Sequence, residues 1–149
     1  MKKATLLLMA FSIQAMLMAQ ESSTVNQQAV HQSVVQLFDA LSNRDSVSLK
    51  AICTADIALY EYGQVWNIDT LILKAITLNQ ATDFNRINHF NFINTTVDKN
   101  TAWATYQLQS EITRDGKQSS VEWMETVIVV KVKKQWKVKL LHSTLIKRT

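Results

Sequence analysis

The last third of the chain, from Ala102 to Ile146, has the pattern of three long β-strands joined by tight turns. The first break, Arg114–Lys117, contains Asp-Gly, one of the strongest short signals for a two-residue β-hairpin loop. The second break lies at Val132–Trp136. Because an antiparallel sheet of this length must bury one face, the first half of the chain has to supply the helices that cover it.

The periodicity of apolar residues predicts two helices at the start of the folded part. The first runs from Val25 to Ser42, and the second, capped by Asp45 or Ser46, ends at Cys53. The apolar stripe of the first helix consists of Val30, Val34, Leu37, Phe38 and Leu41.

Shorter elements follow before the long strands. A β-rich run at Ile57–Tyr62 ends at Gly63, and Gln64–Trp66 is its return. A third helix is capped by Asn67 or Asp69, and a further strand covers 84–97. The predicted order α-α-β-β-α-β-β-β-β is that of an α+β domain.

Alternation predicts which strand residues share a face. In the first long strand the buried face is Ala104, Tyr106, Leu108 and Ile112. The stretch Val127–Val130 is apolar on both faces. In the last strand one face is predicted to hold Trp136, Val138, Leu140, His142, Thr144 and Ile146.

Length and composition restrict the classes of function. The chain has 149 residues, 47% of them apolar, which predicts one domain with a real core. Two glycines and no proline exclude the usual glycine-rich phosphate loops. A formal net charge of +4, half of it from Lys2 and Lys3, does not indicate nucleic acid as a partner. Three His and one Cys occur without ligand spacing, so we expect no metal site.

The N-terminus has the pattern of a secretory signal peptide. Lys2 and Lys3 precede an apolar run from Ala4 to Ala19, and Ala19 is a small residue at a suitable exit. We therefore predict a signal peptide at 1–19 and one domain at 20–149, with the mature protein periplasmic or secreted and without a stable membrane anchor. An uncleaved anchor is the alternative.

Three segments carry a resemblance to a known family: Phe38–Asp45, Gln135–Val138 and His142–Thr144. In their order along residues 25–147 they resemble the nuclear-transport-factor-2-like (NTF2-like) superfamily, in particular its SnoaL-like and DUF4440-type domains. The resemblance implies a cone-shaped, cystatin-like fold, with three helices on a curved, mixed, mostly antiparallel sheet. It also implies a pocket at the wide end and homodimers through the outer sheet face. Members include ketosteroid-isomerase-like enzymes, dehydratases, polyketide cyclases and domains without known chemistry.

Isomerase-type members use a pocket carboxylate to move a proton beside a carbonyl, while hydrogen-bond donors stabilise the enolate. Glu122 and Glu125 lie on opposite faces of one strand, and parity does not decide which of them points inward. The catalytic candidates are His142, Glu125 and Tyr60. Phe38 stands where such an enzyme would show a tyrosine, which weakens this interpretation.

An aromatic lining with polar handles suits a flat, apolar ligand. The predicted pocket residues are Phe38, Tyr60, Trp66, Tyr106, Trp123, His142 and Thr144. No cofactor is expected. Three functions stay open: non-catalytic binding of a small apolar ligand or a protein partner, which the sequence favours; an isomerase- or dehydratase-like enzyme; and a structural dimerisation module.

Overall fold

The computed structural model describes residues 24–149. The predicted signal peptide lies outside the described residues. The helices are α1 at 24–42, α2 at Ser46–Ile52 and α3 at Ile68–Ile72, which continues as a π-helical turn at Leu73–Thr77. The strands are β1 Cys53–Glu61, β2 Gln64–Trp66, β3 Asn85–Asp98, β4 Thr101–Arg114, β5 Lys117–Val132 and β6 Gln135–Arg148. The predicted order of elements is confirmed.

The six strands form one mixed sheet in the order β2-β1-β6-β5-β4-β3. All neighbouring strands are antiparallel except β1 and β6, which run parallel. The three helices cover one face of this sheet, and the predicted α+β fold is confirmed. The five stripe residues of α1 are all buried in the core, together with the inner residues of β1, β4, β5 and β6.

Side chains of α1 attach the helix along β3. The His31 ring stacks on Phe92 with 3.8 Å between ring centroids, and its Nε2 lies 2.7 Å from Thr95 Oγ1. At the other end of the helix, Asn88 Nδ2 donates to Ser42 Oγ at 2.9 Å. Helix and strand are thus joined at both ends, and the space between them becomes the interior of the fold.

Local signals place the starts of the shorter helices. The Asp45 carboxylate accepts from the backbone N–H groups of Val47 and Ser48, each at 3.0 Å, which caps α2. Asn67 caps α3 by accepting from Thr70 N at 2.9 Å. Cys53 begins β1 instead of ending α2, because it pairs with Val138 of β6.

Tight turns join β4, β5 and β6. The predicted Asp115-Gly116 hairpin is confirmed: both residues have positive φ, as a two-residue turn of this hand requires. Asp83 Oδ1 and Oδ2 accept from the N–H groups of Asp115 and Gly116 at 2.8 and 2.7 Å, and this fixes the turn to the segment before β3.

A β-bulge in β6 reverses the predicted faces of this strand. Val138 pairs with Val129 but Leu140 pairs with Ile128, so β6 holds one extra residue at this point. A single extra residue exchanges the two faces of everything beyond it. The prediction that one face runs unbroken from Trp136 to Ile146 is therefore wrong: Trp136, Val138, Leu141 and Ser143 are buried, whereas His142 and Thr144 are exposed on the outer face.

Within residues 24–149, no helix has the length and apolar character needed to cross a membrane.

Candidate active site

A row of three polar side chains crosses the inner face of the sheet. Tyr106 of β4 pairs directly with Glu125 of β5, which pairs directly with Ser143 of β6. Tyr106, Glu125 and Ser143 are 0%, 2% and 6% exposed, respectively. Ser143 Oγ donates to Glu125 Oε1 at 3.0 Å. The Tyr106 hydroxyl and Glu125 Oε2 are buried without a completed hydrogen bond, so both retain bonding capacity for another group.

Burial controls the ionisation of Glu125. It raises the pKa of this carboxyl from 4.5 to about 7, because the charged form is poorly solvated in the interior. The neighbouring Tyr106 hydroxyl and the hydrogen bond from Ser143 lower the pKa. The negative charge of Glu61 raises it, and the positive charge of Arg86 lowers it. A carboxyl with a pKa near 7 can both accept and release a proton at neutral pH.

A second carboxyl belongs to the same site. Glu61 ends β1 and is half-buried, and burial raises its pKa while an interaction with the Ser143 hydroxyl lowers it. The Ser143 hydroxyl, which donates to Glu125, therefore acts on both carboxyls. The Glu61 charge also raises the pKa of Glu125, so the ionisation of one carboxyl depends on that of the other.

Arg86 of β3 supplies a positive charge that is fixed in place. Its Nε donates to Asn88 Oδ1 at 2.9 Å and its Nη2 donates to Ser110 Oγ at 2.9 Å. Ser110 Oγ in turn donates to Asn88 Oδ1 at 2.8 Å. Burial lowers the pKa of Arg86, and the nearby carboxyls of Glu125 and Glu61 oppose this effect.

These groups form one interior cluster that differs in burial from member to member. Tyr106, Ser110, Glu125 and Ser143 are buried, whereas the other members are half-buried. The interior cluster consists of Ser42, Glu61, Arg86, Asn88, Tyr106, Ser110, Glu125 and Ser143.

Apolar side chains surround the interior cluster. The Arg86 guanidinium lies 5.2 Å from the centroid of the Phe38 ring, which places Phe38 beside the charge. The Phe90 ring meets the Phe38 ring edge-on, with 5.5 Å between ring centroids. It meets the Tyr106 ring at a tilt, with 5.9 Å between ring centroids. Trp123 precedes Glu125 on the same face and meets Tyr62 at 5.5 Å. The surroundings therefore combine aromatic side chains with a few polar groups.

The predicted site residues divide between the two faces of the sheet. Phe38, Tyr106, Trp123 and Glu125 face the interior, and Trp66 is half-buried against the core. Tyr60, His142 and Thr144 lie on the outer face, where the rings of Tyr60 and His142 meet at 6.0 Å. The expectation that His142 points into the cone is wrong, because the β6 bulge turns this residue outward. The structure therefore does not bring His142 or Tyr60 together with Glu125.

Several members of the interior cluster were missed by the sequence analysis. Alternation along β3 predicts that Arg86 and Asn88 face the interior, because they share a face with Phe90 and Phe92. Alternation along β1 predicts the same for Glu61, which shares a face with Leu59. Ser110 shares parity with Tyr106 and Leu108 and was equally accessible to this reasoning. Ser143 could not have been found, because its orientation depends on the bulge.

An open groove of about 700 Å³ lies elsewhere, between α1, α2 and the β5–β6 turn. Its charged lining includes Asp39, Asp45, Lys134 and Lys137. The Asp45 carboxylate already caps α2, and Asp39 is exposed. We place the candidate site in the interior cluster, because buried groups with shifted pKa values lie there and not in the groove.

Within the described residues, no three His, Cys, Asp or Glu side chains converge in a way that could hold a metal ion.

Comparisons with known proteins agree with this architecture. No protein-family model and no curated protein sequence matches the chain. Three solved structures superimpose well. A candidate scytalone dehydratase from Novosphingobium aromaticivorans has a TM-score of 0.74 at 16% identity, covering 85% of this chain and 87% of that one. An NTF2-like protein from Cytophaga hutchinsonii has a TM-score of 0.66 at 14% identity, and the match covers 80% of this chain and 98% of that one. The association domain of C. elegans CaMKII has a TM-score of 0.66 at 18% identity, and the match covers 83% of this chain and 98% of that one.

The chain has the NTF2-like fold. At these identities the likeness establishes the fold and leaves the reaction, ligand and assembly to the residues of this chain. In the NTF2-like cone of this protein, the interior cluster lies beneath α1, on the inner face of β1 and β3–β6.

The raised pKa of Glu125 has a consequence for stability. From about pH 4.5 to 7 the unfolded chain releases the Glu125 proton while the folded protein keeps it, so stability falls with rising pH. Glu125→Gln removes this penalty and should stabilise the protein at pH 8 by about 2–3 kcal/mol, with no gain below pH 4. Urea denaturation at several pH values measures the effect.

Glu122→Gln is the matched control, because Glu122 lies on the same strand but faces outward and is half-exposed. Equal pH dependence of unfolding in wild type and Glu125→Gln would contradict the assignment of a buried carboxyl that protonates near pH 7.

Proposed function

We propose that this protein binds a small molecule in the interior cluster and transfers a proton to or from it through Glu125, as an isomerase- or dehydratase-like enzyme. The observation that carries the proposal is the buried Glu125 carboxyl with a pKa of about 7, beside a Tyr106 hydroxyl that lacks a completed hydrogen bond. The sequence favoured non-catalytic binding because no acid–base pair was recognised. Glu61, Tyr106 and Glu125 now supply the groups for one.

The chemistry follows from the roles of these groups. The Glu125 carboxylate takes a proton from the carbon next to a carbonyl, and the electrons of that C–H bond move toward the carbonyl oxygen. The Tyr106 hydroxyl is available as a hydrogen-bond donor to the developing charge. Glu125 then returns the proton to the same or another carbon, which restores the carbonyl and leaves Glu125 as the carboxylate.

The likeness to a candidate scytalone dehydratase supports a reaction of this class. The aromatic walls formed by Phe38, Phe90 and Trp123 support a ligand with a flat apolar part.

Hydrogen–deuterium exchange tests the proposal without the natural substrate. With 2-indanone in D₂O, wild-type protein should accelerate the loss of the α-proton signals in ¹H NMR. The rate should rise as the pH passes 7 and then level off, because the base must be ionised. Glu125→Gln should reduce the acceleration at least about 100-fold, whereas Glu122→Gln should retain it.

The alternatives give different results. Binding of aromatic ketones in a thermal-shift assay without any acceleration would overturn catalysis and support a non-catalytic binding domain. Neither binding nor acceleration across ketones, sterols and lipids would overturn the ligand site and leave a structural dimerisation module.

We also propose a homodimer formed through the outer face of the sheet. The support is a set of exposed apolar side chains on this face, including Trp103 at 41% and Ile93 at 56% exposure. The fold likeness to an association domain is compatible with this assembly.

Trp103→Lys should convert the dimer to a monomer, because a charge would be buried where an aromatic side chain packs. Sedimentation equilibrium at micromolar concentration measures the mass. Val47→Lys is the control, since Val47 is 78% exposed on α2, away from the sheet. A wild-type protein that is monomeric throughout would contradict the proposed assembly.

We propose, finally, that the protein is exported and cleaved after Ala19. The pattern of residues 1–19 supports this: a basic start, an apolar run and a small residue at the exit. Expressed in a bacterial host, the chain should be recovered from the periplasm or medium with Gln20 as its first residue by intact mass. Leu7→Arg combined with Leu8→Arg should retain it inside the cell with residues 1–19 attached. An uncleaved wild-type chain would argue against cleavage.

A further inference from the structure

Arg86 has hydrogen-bonding capacity that the protein itself does not use. Nε and Nη2 are held by Asn88 and Ser110, and within residues 24–149 no hydrogen bond engages Nη1. No carboxylate oxygen of the described residues lies within the 4.0 Å ion-pair distance of its guanidinium. A guanidinium offers two parallel N–H groups that match the two oxygens of a carboxylate.

The surroundings of Arg86 keep the guanidinium in one orientation. The polar chain from Ser42 through Asn88 to Ser110 holds one edge of the group, and the Phe38 ring lies beside it at 5.2 Å. A charged side chain that is held this rigidly loses little entropy when it binds a partner. The guanidinium of Arg86 is therefore already oriented before a ligand binds.

The two internal carboxyls neutralise this charge only in part. Glu125 and Glu61 both act on Arg86 electrostatically but neither forms a close pair with it, and burial disfavours the ionised form of both. A half-buried charge without a close partner carries a desolvation cost, and an anionic ligand would offset it.

We propose that the ligand of the interior cluster is a small organic acid with an aromatic or other flat apolar body, whose carboxylate pairs with Nη1 of Arg86. The inference deepens the proposed function and rests on the same interior cluster. Phe38 and Phe90 contact the apolar body, while the unpaired Tyr106 hydroxyl and Glu125 Oε2 face the part of the ligand that reacts. Arg86 thus selects the substrate, whereas Glu125 moves the proton.

Benzoate and benzamide form the matched pair of probes, because they share shape and aromatic ring but differ in charge. By isothermal titration calorimetry, wild-type protein should bind benzoate at least about 10-fold more tightly than benzamide. Arg86→Gln should bind the two equally. Arg114→Gln is the control and should keep the preference, since Arg114 is exposed at the end of β4.

Equal affinities of wild type for the two probes would overturn the inference, and so would a benzoate preference that survives in Arg86→Gln. If Arg86→Gln does not melt cooperatively, NMR of the wild-type protein provides the test. The ¹⁵N-coupled Nε–H resonance of Arg86 should shift with benzoate and not with benzamide. No shift with benzoate would equally overturn it.

The result is separable from the test of proton transfer. A benzoate preference without 2-indanone exchange leaves the acid site standing and removes the catalytic role of Glu125. Exchange without a benzoate preference removes the acid as ligand and leaves proton transfer standing.

Discussion

The exclusion of water from one face of the sheet is the constraint on which the rest of the structure depends. Side chains alternate along β4 and β5, so Ala104, Tyr106, Val127 and Glu125 must share the face that α1 covers. Burial of the apolar members stabilises the fold, and the same burial raises the pKa of Glu125. One physical effect thus holds the domain together and prepares the group that we assign to proton transfer.

The interior is more polar than stability alone would favour. Charged groups removed from water cost free energy unless they are paired, and here Arg86 donates to Ser110 while Glu125 accepts from Ser143, without a close ion pair between them. The hydrogen bonds of Asn88, Ser110 and Ser143 lower that cost without neutralising the charges. Such partly satisfied polar groups are typical of functional sites, where an incoming ligand completes the bonding.

Local sequence signals accounted for most of the architecture. The stripe of α1 from Val30 to Leu41 is buried as predicted, Asp45 and Asn67 cap their helices, and Asp115-Gly116 forms its hairpin. These features depend on neighbours within a few residues, so a periodicity or a capping side chain suffices to predict them. The inward orientation of Arg86 and Ser110 was available from the same alternation, but neither was among the predicted site residues.

The sequence by itself determined the helices, the turns and the two-residue period of the strands, because each follows from short-range sterics and hydrogen bonding. Only the tertiary structure decided that Glu125 rather than Glu122 faces the interior, and that Ser143 rather than His142 lies beside it. The reason is that the Val127–Val130 stretch of β5 is apolar on both faces, so its sequence does not indicate which face the helices cover. A one-residue bulge in the pairing of β6 with β5 exchanges the faces of β6 without altering its composition.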